Sequence, residues 1–415
     1  MHTMKIAATL LLSTLLIAQT TPKPRARDLG IPFDGVPGKL NAITDVAGVE
    51  VGYSTLISGE GKLVVGQGPV RTGVTAIFPR GKNNLDAVFA GFHSGNGNGD
   101  MTGTHWIDES GVLETPITIT STLSVGVVRD AVVGWMVKHG FPAPFFYPVS
   151  AETADARLND IKGQHVKTED ALHALDTAHT GRIEEGNVGG GTGMTCNGFK
   201  GGTGTASRVI DAGEGGYTVG VLVQCNYGNR NELRIAGIPV GREIKGYGPC
   251  VTRQLDPPQK SYDGRPAPVC ERQTATLLDH EEGRGSIIVI VATDAPLTPD
   301  QLRRIARRVT LGLGRMGSIE SDGSGDLFLA FSTANAHADI GNGAEPDTPP
   351  VSRIERVISE RMNPLFLATI QATEEAITNA MITAETMTGA DYWRTYAIPH
   401  EQLREILRKH GRLRE

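Results

Sequence analysis

The sequence predicts an α+β architecture in one large domain, on three observations. Apolar runs of the length of buried strands come in clusters, "TVGVLVQC" and "SIIVIVAT" among them. Stretches with helical spacing fall between those clusters, without the regular strand–helix beat of a doubly wound sheet. Glycine is abundant, 52 of 415 residues, and grouped rather than periodic, which fits tight turns and close backbone approaches.

Residues 1–20 stand apart from this pattern. Lys5 is followed by an apolar core from Ile6 to Ala18 and then by small, polar and proline residues. That is the layout of a secretory signal peptide, and it is too short for a membrane span of about 20 apolar residues. The expected mature protein is soluble and exported, periplasmic or secreted, with no membrane contact once the leader is gone.

A Pro/Arg linker, Pro22 to Arg27, leads into "LNAITDVAGVEVGYSTLI", which alternates as a strand or hairpin does. "GVTAIFP" reads as a strand and "AVFAGFHSGNGNGDMTG" as a strand running into a loop. Helical spacing predicts helices over "SVGVVRDAVVGWMVKHG", closed by Gly140, and over "TEDALHALDTAH". The glycine-dominated stretch from Glu184 to Ile210 has no period from which to assign it. "GYTVGVLVQCNYG" follows as a buried strand, and Ile287 to Ala292 as another behind Gly285-Ser286. "TPDQLRRIARRVTLGLGRMG" is an amphipathic helix capped by Thr298 or Asp300, with Leu302, Ile305, Val309 and Leu313 on one face. "SDGSGDLFLAFSTAN" gives a turn and a strand, "PLFLATIQATEEAITNAMIT" a long buried helix, and "HEQLREILRKHG" a charged terminal one.

A net charge of −6, with no basic stripe carrying interleaved aromatics, argues against a nucleic-acid surface. None of the four cysteines has a zinc-site spacing, so no metal is expected. Exported proteins keep disulfides, and Cys250 and Cys270 bracket a proline-rich polar segment; a bridge closing that loop is expected. Cys196 and Cys225 sit in apolar, glycine-rich surroundings where a second bridge and two buried thiols both fit.

Three hydroxyl sites stand out by setting: Ser286, Ser324 within "DGSGD", and Ser332-Thr333. Asp326, two residues beyond Ser324, is placed to orient a second serine or an amine. The histidines are scattered and there is no GxSxG, so a nucleophilic serine needs another base. A serine that begins a chain has one: its own α-amine, with a pKa of roughly 7.7–8.0. Gly285-Ser286 suits the making of such a terminus. Glycine lets the hydroxyl approach the preceding carbonyl and accepts the backbone that an N→O acyl shift requires. A simple turn into a strand is the plain alternative.

"GRGSIIVIVATDAPL", "SGDLFLAFSTAN", "GNVGGGTGM", "KGGTGTASR", "NGNGDMTGTHWIDESG", "ETADARLNDIKG" and "NPLFLATIQATEEAITNAM" together resemble the β-peptidyl aminopeptidase and L-aminopeptidase/D-esterase family. The resemblance runs over nearly the whole chain beyond the leader. It implies an αββα four-layer sandwich, related in shape but not in connectivity to the N-terminal-nucleophile hydrolases. It also implies self-cleavage between Gly285 and Ser286, splitting one catalytic domain into an N-terminal part, residues 21–285, and a C-terminal part, residues 286–415. Such pairs are expected to form a homo-oligomer, with a tetramer favoured.

The same resemblance implies roles for single residues. Ser286 would be the nucleophile, Ser324 a relay to its α-amine, and Asp326 the group that stabilises that positive centre. Asn226 would line the oxyanion hole, and Glu152 would bind the free ammonium of a short peptide, amide or ester. No cofactor is implied. Asn226 as a turn residue and Glu152 as a helix N-terminal acid are the structural alternatives. The chain departs from the family in having Ala154 where an aromatic, often tyrosine, is expected; Tyr147 is the nearby candidate to replace it. Acyl transfer to an amine is an alternative activity, though relatives resembling ornithine acetyltransferases carry threonine at the cut. An exported binding protein that keeps the fold without processing is the non-enzymatic alternative.

Overall fold

The computed structural model describes residues 23–261, 264–270, 285–337 and 351–414. The leader expected over residues 1–20 lies outside them, as do residues 271–284 before the proposed cut. In chain order the first half gives β1 (Glu50–Ser58), β2 (Val70–Phe78), β3 (Val88–Gly97), α1 (Thr104–Ser110), β4 (Val112–Leu113), β5 (Ile117–Ser121), α2 (Val125–Lys138), β6 (Val149–Thr153) and α3 (Thr168–Asp176). The second half gives β7 (Gly202–Val209), β8 (Thr218–Asn226), β9 (Gly285–Thr293), α4 (Pro299–Arg315), β10 (Ser324–Ser332), α5 (Asn363–Ile382) and α6 (His400–Lys409).

Two sheets organise these elements. The smaller has the order β1-β2-β5-β6 and the larger β4-β3-β10-β9-β8-β7. β5–β6 and β9–β10 pair in parallel, and the remaining pairs run antiparallel. Val51, Ile77 and Ile119 of the smaller sheet meet Leu222, Ile288, Ile290 and Phe331 of the larger in one apolar layer. On its other face the larger sheet packs Val223, Val289 and Phe328 against Leu302 and Val309 of α4 and Ala372 and Ala376 of α5. The smaller sheet packs Val74, Ala76 and Phe78 against Val132 and Trp135 of α2 and Ala174 of α3. The order is helices, sheet, sheet, helices: an αββα sandwich within the α+β class.

Burial on both faces explains the strand sequences. Every residue from Ile287 to Ala292 is fully buried, which is why β9 reads as an unbroken apolar run rather than an alternating one. α4 places Leu302, Ile305, Val309 and Leu313 inward, and the Thr298 N–H donates to the Gln301 side chain at 3.1 Å in a reciprocal cap. Two segments differ from expectation. "LNAITDV" forms a short 3₁₀ turn over Ile43–Asp45 instead of a strand, because the Ile43 N–H and Ser207 hydroxyl engage Thr205 and Asp45 side chains. The unassigned glycine-rich stretch contains β7, whose glycines serve tertiary contact: a Cβ on Gly204 would stand 2.1 Å from the Ala376 carbonyl of α5.

Candidate active site

The register of three adjacent strands assembles the site. β9 begins at Gly285 and sets Ser286 opposite Asn226 of antiparallel β8 and opposite Gly325 of parallel β10. Ser286 is buried, 5% exposed, and its Oγ accepts a hydrogen bond from the Gly325 N–H at 3.2 Å. Side chains alternate along a strand, so Ser286 and Asn226 share the face of Ile288 and Leu222, toward the other sheet. Ser324 and Asp326 share the face of Phe328, toward α4 and α5.

Gly285 is in place for a physical reason. Its φ is +150°, and a Cβ there would lie 2.0 Å from the Asn226 carbonyl oxygen. No residue with a side chain fits without moving β8.

The Asn226 amide is held at both ends. Its Oδ1 accepts from the Thr195 N–H at 2.8 Å, and its Nδ2 donates to the Ala154 carbonyl at 2.9 Å. Nδ2 carries a second hydrogen beyond the one Ala154 receives. Asn226 is therefore a strand-end residue fixed by its side chain, and Ala154 enters through its backbone. Tyr147 packs edge-on against His105, with ring centroids 5.3 Å apart, beside Trp106 in a partly exposed aromatic group.

On the opposite face, Ser324 Oγ donates to Asp326 Oδ1 at 2.6 Å. Asp326 is fully buried, and its Oδ2 has no hydrogen-bond partner. Burial pushes its carboxyl up to about 6, against the pull of the Ser324 bond. The Tyr227 hydroxyl is also buried, and burial together with the Asp326 charge raises it far above the ordinary phenol range, against the pull of Asn197. A cavity of about 820 Å³ opens beside Ser324, lined among others by Asn98, Tyr227, Asn229, Glu232 and Asp322.

Glu152 lies on β6, not at a helix start, and is 3% exposed. Its Oε1 accepts from the Asp100 N–H at 2.9 Å, and its Oε2 accepts from the Thr122 hydroxyl. Burial raises this carboxyl above its ordinary value, the two hydrogen bonds lower it, and the Asp100 and Asp155 charges raise it further. A Cβ on Gly99 would be 3.2 Å from both Glu152 Oε1 and Gly325 Cα. The carboxylate thus faces the Ser286–Gly325 pair across a single glycine.

The remaining candidates fall elsewhere. Ser332 ends β10, the far end from Ser324, and its hydroxyl donates to the Ala295 carbonyl at 2.6 Å, a structural bond. The four cysteines form two bridges, Cys250–Cys270 and Cys196–Cys225. Among the described residues no group of three or more His, Cys, Asp or Glu side chains is arranged to hold a metal ion, and no helix is long and apolar enough to cross a membrane. Sequence reasoning missed Thr122, Asp155 and the Gly325 N–H. The glycines around Ser324 were the available signal for the last; nothing in "TSTLS" marks Thr122.

This sandwich, with Ser286 second in a central strand, has the architecture of an N-terminal-nucleophile-type hydrolase. The L-aminopeptidase D-Ala-esterase/amidase of Ochrobactrum anthropi, described as a prototype for the serine aminopeptidases and a new variant among the Ntn hydrolase fold, superposes with a TM-score of 0.80 at 44% identity, covering 94% of this chain and 100% of that one. Residues 41–394 match the model of peptidase family S58, and the chain belongs to that family. It is 52% identical over 415 residues to the β-peptidyl aminopeptidase BapA of Sphingosinicella microcystinivorans, covering 100% of this chain and 99% of the relative. It is 47% identical over 403 residues to BapA of Sphingosinicella xenopeptidilytica, covering 96% and 95%. The chain is a hydrolase of the peptidase class.

Proposed function

We propose that the protein is an exported, self-activating serine aminopeptidase acting on short peptides, amides or esters with a free N-terminal amine. The observation that carries this is the register Asn226–Ser286–Gly325, which sets a hydroxyl between two potential donors at the first turn-free position of a rigid strand.

In activation, Ser286 Oγ adds to the Gly285 carbonyl carbon, the hydroxyl proton passes to the Ser286 nitrogen, and the C–N bond breaks to leave an ester. Water then hydrolyses that ester. Gly285 departs as a carboxylate, and Ser286 keeps its hydroxyl and gains an α-amine. Residues 21–285 and 286–415 become the two parts of one domain.

In turnover the α-amine takes the Ser286 hydroxyl proton as Oγ attacks the substrate carbonyl. The tetrahedral oxyanion is met by the second Nδ2 hydrogen of Asn226; where such a donor has been removed in another hydrolase, about 3–4 kcal/mol was lost. The protonated amine returns its proton to the leaving amine or alkoxide, giving an acyl-enzyme that water releases by the same steps in reverse. Ser324 and Asp326 serve the amine from the far face of the sheet. Asp326 Oδ2, a buried oxygen left over from the Ser324 bond, is the acceptor for that amine. Glu152 holds the substrate ammonium one residue from the scissile bond, and a buried charge pair fixes register as well as affinity. Export through the N-terminal leader and assembly into a homo-oligomer, a tetramer in the favoured form, complete the proposal.

Denaturing electrophoresis with intact-mass measurement tests it. Two unequal fragments are expected, the smaller beginning at Ser286, and Ser286→Ala remains one inactive chain. An active preparation consisting of a single intact chain overturns self-activation, and an S286A protein still cut at this bond assigns the cut to another protease.

A further inference from the structure

Three residues beyond Glu152 lies a second buried carboxylate that the mechanism does not use. Asp155 is 1% exposed. Its Oδ1 accepts from the Ser121 hydroxyl at 2.9 Å and from Asn159 Nδ2 at 3.0 Å, and the Thr72 hydroxyl also lowers its carboxyl. The two carboxylates are held by consecutive residues at the end of β5: Ser121 bonds Asp155 and Thr122 bonds Glu152. Between them in sequence, the Ala154 carbonyl receives the Asn226 amide. Hydroxyl and amide donors, rather than a guanidinium or ammonium, hold both carboxylates in these bonds. A buried acid held in this way is costly to keep ionised, and here two are kept within one four-residue stretch.

We propose that Asp155 is a positioning residue for the ammonium subsite: its charge acts through Glu152, so that a cationic substrate amine is drawn to a doubly anionic wall rather than to one carboxylate. This rests on the assignment of Glu152 as the ammonium-binding group. Burial pushes the Asp155 carboxyl up to about 6, and its charge raises Glu152 in turn. The titratable groups that act on Glu152 are Asp100, from the loop after β3, and Asp155, from the end of β6. The Asp155 charge opposes ionisation of Glu152, so the acidic limb of substrate binding responds to it. An incoming ammonium supplies a counter-charge. A neutral N-acetylated substrate does not, and leaves both acids uncompensated.

The test is the pH profile of kcat/KM for an N-terminally free p-nitroanilide, measured on processed protein. Removing the Asp155 charge makes Glu152 easier to ionise. Asp155→Asn is therefore expected to shift the acidic limb down by about one pH unit and, above neutrality, to raise KM about fivefold with kcat little changed. Ser121→Ala keeps both charges and removes one hydrogen bond, so it separates charge from packing: it is expected to keep KM at neutral pH within about twofold. Glu152→Gln locates any failure. If E152Q loses the acidic limb while D155N leaves limb and KM in place, the Asp155 inference falls and the Glu152 assignment stands. If E152Q keeps the wild-type limb, the Glu152 assignment itself falls. Equal losses in kcat and 1/KM for D155N without a shifted limb make Asp155 purely structural and overturn the proposal. Should D155N fail to fold, Ser121→Ala decides: a KM that rises as much as fivefold although both charges are kept overturns it as well.

Discussion

The 2.6 Å hydrogen bond from Ser324 Oγ to Asp326 Oδ1 lies on the opposite face of the sheet from the Ser286 hydroxyl. Two faces would suit the proposed role of Ser286 as both nucleophile and chain end. The hydroxyl of Ser286 points between the sheets, while its backbone nitrogen lies in the sheet plane. A nucleophile and the support for its base can then occupy separate surfaces without competing for space.

Removing that support should slow turnover and leave the cut bond identifiable. Asp326→Asn is expected to lower kcat by about 100-fold or more, the scale of one general acid–base contribution, with a smaller effect from Ser324→Ala. Steady-state kinetics on protein first shown by mass to be processed checks this. Wild-type kcat in D326N removes Asp326 from the mechanism.

Gly285→Ala introduces a methyl group 2.0 Å from the Asn226 carbonyl at a φ of +150°. Accommodating it costs about 1–3 kcal/mol. Processing is expected to slow by roughly 5- to 150-fold, since each 1.36 kcal/mol is a factor of about ten in rate. Band intensities followed over time after purification give the answer; cleavage at the unaltered rate means that the backbone here is not constrained.

Recognition of a free amine should show as a contrast between matched substrates. A p-nitroanilide with a free N-terminus is expected to be turned over with kcat/KM at least about 100-fold above its N-acetylated form, and Glu152→Gln to erase most of that gap. Similar rates on the two substrates remove Glu152 from recognition.

Lys200 provides a pH prediction away from the site. It is fully buried, its Nζ donates to the Gly201 carbonyl at 2.9 Å, and burial brings its amine down to about 7. The unfolded chain holds this proton up to about 10.4. Between those values the unfolded state binds more protons than the folded one, so stability rises with pH across the window and falls as pH drops toward 7. Thermal unfolding from pH 7 to 9.5 should show a rising Tm that Lys200→Met flattens. An identical slope in both proteins refutes the assignment.

Much of this fold was legible because its elements carry strong local signals. The apolar run behind Ser286, the four-residue rhythm of α4 and α5 and the capping threonine at 298 each state their own structure. The candidate residues Ser286, Ser324 and Asp326 stood out in the sequence because glycines mark the strand starts, and the structure sets them on adjacent strands. Asp155 and Thr122 carried no such signal: what places them is the tertiary contact each makes, Ser121 with Asp155 and Thr122 with Glu152. The glycine-rich stretch was opaque for a related reason. Gly204 is selected by a helix 172 residues downstream, and no local pattern contains that information.

The strand order of the larger sheet has a consequence for the lifetime of a cut molecule. β9 and β10, which follow Gly285, are flanked on one side by β3 and on the other by β8, which precede it. If the proposed cut is made, the two pieces are interleaved, each gripping the other through backbone ladders along both seams. Melting such a molecule releases two polymers where synthesis supplied one, and regaining the sheet becomes a second-order encounter that dilution slows. Maturation would then be a ratchet: the protein folds by itself once and is held afterwards by the height of its unfolding barrier.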